Sequence, residues 1–171
     1  MIHNSLRILV VDATGAEKGK RMFTRDAIGA GPRSVCGILE KVRVKSKIIL
    51  AEEILTKGFP QNFNSLFISA MSMDKIAVSK IIRKWKEFSK GVVVLGGPIT
   101  AEFNDIMEIT GADIIVIGEG EQTIEDIIES GFLLKNRSFD LLEAIKGLGY
   151  RNQNNVNRIN DFRFYSTTNE F

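Results

Sequence analysis

Four short apolar runs, each followed by small or polar residues, are the feature that most constrains the fold of this chain of 171 residues. The runs span residues 8–11, 66–68, 92–95 and 114–117. Continuous apolar runs of this length are typical of strands covered by helices on both faces of a parallel sheet. Because the carboxyl ends of parallel strands share one edge, the four following loops are expected at the edge where open α/β sheets bind ligands.

Helical patterns alternate with these runs and with a further strand predicted at residues 47–50. Five alternations of strand and helix predict a parallel sheet with right-handed crossovers, because a tight hairpin cannot join parallel neighbours. The predicted fold is therefore a Rossmann-like, flavodoxin-like three-layer α/β sandwich with strand order 2-1-3-4-5. Residues 148–151 and 156–159 are predicted to add a small C-terminal hairpin.

Five side chains have local structural interpretations. Ser34 and Asp74 each precede an apolar stripe at helical spacing and are predicted to cap those helices. Met71 and Met73 are expected to fill the core rather than to contact a ligand. Cys36, on the apolar side of the first helix, is expected to act as a small buried hydrophobic residue.

Composition and charge limit the classes of function. The length predicts one domain over residues 1–159, with residues 160–171 as a linker or disordered tail. The net charge of +2 gives no reason to expect nucleic acid, and no apolar run approaches the roughly 20 residues that cross a membrane. Cys36 is the only cysteine, which favours a cytoplasmic protein, and His3 is the only histidine. No catalytic residue and no metal ligand is predicted.

Two glycine turns lie at the predicted edge and could contact a ligand there. Gly96 and Gly97, before Pro98, would let a ligand approach the main chain, and residues 118–121 repeat the arrangement one strand further along. Glutamates in the second turn also suit the positive end of the following helix, so capping is the simpler role for them. The hydroxyls of Ser69 and Ser72 are available to a ligand or to a helix cap. The long loop after the first strand, which includes Gly15 and Gly29, is long enough to act as a lid.

Three segments together resemble the N-terminal cobalamin-binding domain of cobalamin-dependent radical S-adenosylmethionine enzymes. They read VVVLGGP at residues 92–98, GADIIVIGEGEQTI at 111–124 and IKGLGYR at 145–151. The resemblance implies a corrin ring lying across the carboxyl edge of the strands. It implies cofactor contacts from the following residues, those of the first two loops by loop position only: Asp12, Ala13, Thr14, Ser69, Met71, Ser72, Met73, Gly96, Gly97, Pro98, Ile99, Thr100, Gly118, Glu119, Gly120 and Glu121.

The chain also departs from that family. Ile99 stands where a histidine commonly follows the glycine turn, and no D-x-H-x-x-G segment supplies a histidine to cobalt. The cysteine triad that would hold a [4Fe-4S] cluster is missing, so cluster and S-adenosylmethionine are expected only through a radical catalytic domain in cis or in trans. The chain alone is therefore not expected to be catalytic. Two alternatives stay open: a cobalamin-free relative that binds a partner or another small molecule, and a flavodoxin-like protein that binds a nucleotide or flavin.

Overall fold

The computed structural model describes residues 5–16, 28–134 and 138–163. Much of the predicted lid, His3 and most of the predicted tail lie outside these ranges. The strands are β1 (Arg7–Asp12), β2 (Lys45–Leu50), β3 (Ser65–Ser69), β4 (Val92–Gly96), β5 (Ile114–Val116), β6 (Leu148–Arg151) and β7 (Asn157–Ile159). The helices are α1 (Ala30–Lys41), α2 (Ala51–Lys57), α3 (Lys75–Phe88), α4 (Phe103–Thr110), α5 (Glu121–Glu129) and α6 (Asp140–Glu143).

All seven strands form one sheet in the order β2-β1-β3-β4-β5-β6-β7. The first five are parallel and in the predicted order, which confirms the Rossmann-like fold. The predicted C-terminal hairpin is also present, and it extends the main sheet because β6 pairs antiparallel with β5.

The sheet is covered by helices on both faces. On one face, Leu9, Leu66 and Val93 pack with the apolar sides of α2, α3 and α4. On the other, Val10, Phe67 and Val94 pack with α1, α5 and α6. Neighbouring residues of one strand thus enter different cores, as the alternation of side chains along a strand requires.

No helix in the described part of the chain is long and apolar enough to cross a lipid bilayer.

The first helix begins earlier than predicted. Ser34 was expected to cap it, but α1 starts at Ala30 and includes Ser34 within its second turn. Pro32 occupies the third helical position. Its missing amide hydrogen removes no hydrogen bond there, because the first four amides of a helix have no partner within the helix. The Gly29 amide donates to the Asp12 carboxylate at 2.7 Å instead, which fixes the start of the helix to the end of β1.

Asp74 also differs from the sequence-based prediction. It stands immediately before α3, but its side chain makes no capping bond to that helix. It is fully buried and accepts the amides of Met71 and Gly15, both at 3.1 Å. The carboxylate therefore connects the loop after β1 with the loop after β3.

Candidate functional site

The loops that follow β1, β3 and β4 are joined by main-chain hydrogen bonds at the carboxyl edge of the sheet. Ala13 donates to the Ser69 carbonyl at 2.9 Å, and Ala70 donates to the Gly96 carbonyl at 3.1 Å. The Ile99 amide closes the series by donating back to the Ala70 carbonyl at 3.2 Å. We call this joined edge the rim.

Thr100 links the rim to β5. It is 1% exposed, and its hydroxyl lies 2.8 Å from the Val116 carbonyl and 2.9 Å from the Gly97 carbonyl. Gly97 has φ of 92°, and a β-carbon there would lie 2.8 Å from the Ala70 carbonyl oxygen. The turn after β4 therefore requires glycine for its own geometry.

Two buried carboxylates hold the loop after β1 on the rim. Asp12 accepts the amides of Thr14 and Gly29, which lie at the two ends of that loop. Asp74 accepts the Gly15 amide from the neighbouring loop. These contacts fix the positions of residues at both ends of the loop.

A slot of about 190 Å³ opens at the rim between α1, α5 and the sheet. Its walls bring together both glycine turns that the sequence singled out. Residues from α1, from α5 and from the four strands β1, β3, β4 and β5 complete the lining. The lining residues are Val10, Gly31, Ser34, Val35, Ile38, Phe67, Ile68, Ser69, Val94, Gly96, Gly97, Val116, Gly118, Glu119, Gly120, Glu121 and Ile124.

The mouth of the slot is bridged by one side-chain hydrogen bond. Ser34 of α1 donates its hydroxyl to Glu121 of α5 at 2.7 Å. Ser69 also lines the slot, and its hydroxyl oxygen is 2.7 Å from the position that a β-carbon of Gly31 would occupy. The absence of a side chain at Gly31 therefore leaves room for the Ser69 hydroxyl at the slot.

The predicted cofactor residues fall into three groups. Seven of them line the slot: Ser69, Gly96, Gly97, Gly118, Glu119, Gly120 and Glu121. Four are buried supports of the rim: Asp12, Ala13, Ile99 and Thr100. The others are exposed or half-buried and do not line the slot: Thr14, Met71, Ser72, Met73 and Pro98.

Met71 and Met73 do not fill the core as expected. Their side chains are 39% and 57% exposed, respectively, on the 3-10 turn before α3. The buried residue of this turn is Asp74, and both methionine side chains are exposed at the rim.

Sequence reasoning missed the contribution of α1 and of the strand interiors. Val35 and Ile38 form a wall of the slot, and Val10, Phe67 and Val94 form its floor. These residues have the same apolar pattern as ordinary core positions. Gly31 and the apolar stripe of α1 are the sequence features that could have indicated this wall. Their position against the glycine turns is known only from the fold.

Two other features lie away from the rim. Burial raises the pKa of the Cys36 thiol, although a hydrogen bond from Ser46 opposes the shift. Burial, with a smaller effect of the nearby Glu143 carboxylate, also raises the pKa of Tyr150, which borders a shallow depression of about 840 Å³ beside the β6–β7 hairpin. That depression contains none of the predicted site residues.

Within residues 5–16, 28–134 and 138–163, no group of three or more His, Cys, Asp or Glu side chains is arranged to hold a metal ion.

Fold and site together define a doubly wound α/β domain with a slot of about 190 Å³ at the carboxyl edge of its sheet. Solved structures with this fold include TsrM from Kitasatospora setae, a radical S-adenosylmethionine methyltransferase with cobalamin and a [4Fe-4S] cluster bound. The match has a TM-score of 0.67 and 12% identity, and covers 93% of this chain and 29% of that one. The cobalamin-dependent S-adenosylmethionine radical enzyme OxsB, with aqua-cobalamin bound, matches with a TM-score of 0.70 and 17% identity over 94% of this chain and 23% of that one.

Two curated proteins are similar in sequence. The uncharacterized protein MJ1620 of Methanocaldococcus jannaschii is 36% identical over 149 residues, which are 87% of this chain and 28% of that protein. The uncharacterized protein MK0932 of Methanopyrus kandleri is 35% identical over 127 residues, or 73% of this chain and 24% of that protein. The chain thus spans about a quarter of the length of these relatives. No family model matches it.

Proposed function

We propose that this chain is a cobalamin-binding module that presents the corrin to a radical S-adenosylmethionine catalytic domain, in cis or in trans. The observation that carries the proposal is the apolar slot that opens on the rim between the two glycine turns. The fold it shares with TsrM and OxsB supports the same assignment.

The shape of the site fits the shape of cobalamin. The cofactor combines a broad, flat corrin ring with a bicyclic aromatic base on a flexible nucleotide loop. A rim with a narrow slot beside it offers a surface for the first and a cavity for the second. Gly96 is central to this fit, because a β-carbon there would meet only Val116, at 3.8 Å. Its missing side chain leaves the slot open.

The outer surface of the rim suits the ring itself. Pro98, at the end of the first glycine turn, and Gly118, at the start of the second, are exposed, and neither has a polar side chain. Met71 and Met73 add flexible apolar side chains that adapt to an irregular ring edge. Glu119 and Glu121 can accept hydrogen bonds from the amide groups around a corrin.

The reaction itself would require a second domain. Cys36 is the only cysteine of the chain, so a [4Fe-4S] cluster held by cysteines would belong to the partner domain, together with S-adenosylmethionine. When bound, cobalamin would supply a cobalt centre for methyl transfer or a related step. The residues of this chain would bind and orient the corrin and would exclude water from the slot.

The proposal is tested by mixing the purified chain with hydroxocobalamin, desalting the mixture and recording the visible spectrum of the protein fraction. Corrin that stays with the protein supports the proposal. A parallel sample with flavin mononucleotide tests the flavodoxin-like alternative. Retained flavin without retained corrin would replace the proposal with that alternative, and retention of neither would favour a cobalamin-free interaction domain.

A further inference from the structure

The polarity of the slot changes from its mouth to its floor. Ser69 and Gly96 are paired at the carboxyl ends of β3 and β4, at the mouth. Phe67 and Val94 are paired two residues deeper and form the floor with Val10. These three floor side chains are between 1% and 3% exposed.

The polar side chains of the slot are all near its mouth. They are those of Ser34, Ser69, Glu119 and Glu121. Below them, the walls are apolar residues of α1 and α5, and the main-chain groups of the floor strands are paired within the sheet. A polar group brought to the floor would therefore lose its water and find no side-chain partner there.

The covalent structure of a corrinoid fixes which end of its base would reach the floor. The base is attached through its five-membered ring to the ribose of the nucleotide loop, and this loop returns to the corrin on the rim. The attached ring would therefore stay near the mouth, close to the hydroxyl of Ser69. The six-membered ring would point toward Phe67 and Val94.

We propose that the slot selects among corrinoids by the chemistry of this six-membered ring. The selection rests on the proposed function, because it concerns the same ligand site. A benzimidazole with methyl groups at its far edge buries only apolar atoms at the floor. Adenine brings ring nitrogens and an exocyclic amine to the same place. An unpaired buried polar group lowers affinity by roughly 5- to 150-fold, so the dimethylbenzimidazole form is preferred by a factor in that range.

The test compares three corrinoids on the wild-type chain by equilibrium dialysis. They are cobalamin, its analogue with adenine as the base, and cobinamide, which has neither base nor nucleotide loop. We expect cobalamin to bind roughly 5- to 150-fold more tightly than the adenine analogue. Equal affinities, or a preference for adenine, would overturn the selection while leaving corrin binding intact. If none of the three bound, the proposed function would fail and the selection with it.

A pair of isosteric variants locates the effect. Val94→Thr places a hydroxyl at the floor, whereas Val93→Thr places one in the core on the opposite face of the same strand. We expect Val94→Thr to reduce the preference for cobalamin over its adenine analogue. Val93→Thr should leave that preference unchanged. An unchanged ratio in folded Val94→Thr protein would overturn the role of the floor. The wild-type comparison stands by itself if either variant does not fold.

Discussion

Ser34 of α1 and Glu121 of α5 form a hydrogen bond of 2.7 Å across the mouth of the slot. The bond connects the two helices that flank the slot at the point where a ligand would enter. Lys41 and Glu125 form a second connection between the same helices, at 2.8 Å, and neither residue lines the slot. One bridge thus joins two residues that line the slot, and the other joins the helices away from it.

Ser34→Ala tests whether the first bridge limits entry. Such a hydrogen bond contributes about 1 kcal/mol, so the variant should bind corrin up to about fivefold faster with little loss of thermal stability. The association rate is measured by stopped-flow absorbance with hydroxocobalamin. Lys41→Ala is the matched control and should bind at the wild-type rate. Equal rates for Ser34→Ala and wild type would show that the bridge does not limit entry.

Gly96→Leu tests the slot itself. A β-carbon at this position meets only Val116, at 3.8 Å, so the rest of the side chain extends into the slot without straining the main chain. We expect a folded protein that no longer retains corrin after desalting. Circular dichroism checks the fold, and the visible spectrum checks retention.

The control for that variant is Gly37→Leu on α1, where a β-carbon would meet no atom within 4 Å. This variant should retain corrin as the wild type does. Gly97 is a poor site for the same test, because its φ of 92° and the nearby Ala70 carbonyl would strain any other residue. Retention of corrin by folded Gly96→Leu protein would contradict the placement of the ligand in the slot.

Ser69→Ala tests the polar contact at the mouth. If the Ser69 hydroxyl bonds to the base or its ribose, its loss should weaken corrin binding by about 2- to 12-fold, as expected for a single neutral hydrogen bond. Ser72→Ala serves as control, because the Ser72 hydroxyl is already engaged with the Pro98 carbonyl at 3.2 Å. Titration calorimetry with hydroxocobalamin gives both affinities. A loss of affinity confined to Ser72→Ala would show that the contact comes from Ser72 and not from Ser69.

The thiol of Cys36 gives a pH-dependent prediction. Burial raises the pKa of this thiol, so the reactive thiolate should be scarcer at neutral pH than in a free cysteine. Alkylation by iodoacetamide should therefore be slow at neutral pH and should accelerate as the pH rises through the alkaline range. The hydrogen bond from Ser46 lowers the pKa, so Ser46→Ala should move the profile to still higher pH. If the alkylation rate rose at the same pH as for free cysteine, or at a lower pH, the result would contradict the burial of the Cys36 thiol.

The fold could be predicted because its signals are local. Each parallel strand is a short apolar run, and the order 2-1-3-4-5 follows from the alternation with helices. The pairing of Val116 with Leu148, by which the hairpin joins the main sheet, could not be predicted. This pairing brings together two segments that are far apart in sequence, and no local residue pattern indicates it.

The candidate site was predictable only in part, for a similar reason. Gly96 and Gly118 follow apolar strands and so identify the edge of the sheet. Phe67 and Val94 line the same slot but look like any other buried strand residues. The start of α1 differs from the sequence-based prediction because the Asp12 carboxylate, from another element, holds the Gly29 amide. Such contacts between elements decide local structure without leaving a local pattern.

The most direct test of the whole account is the equilibrium binding of hydroxocobalamin to the purified wild-type chain, measured by absorbance titration. The account predicts saturable binding that ends at one corrin per chain. Absence of saturable binding by a chain whose circular dichroism shows the folded α/β domain would contradict it.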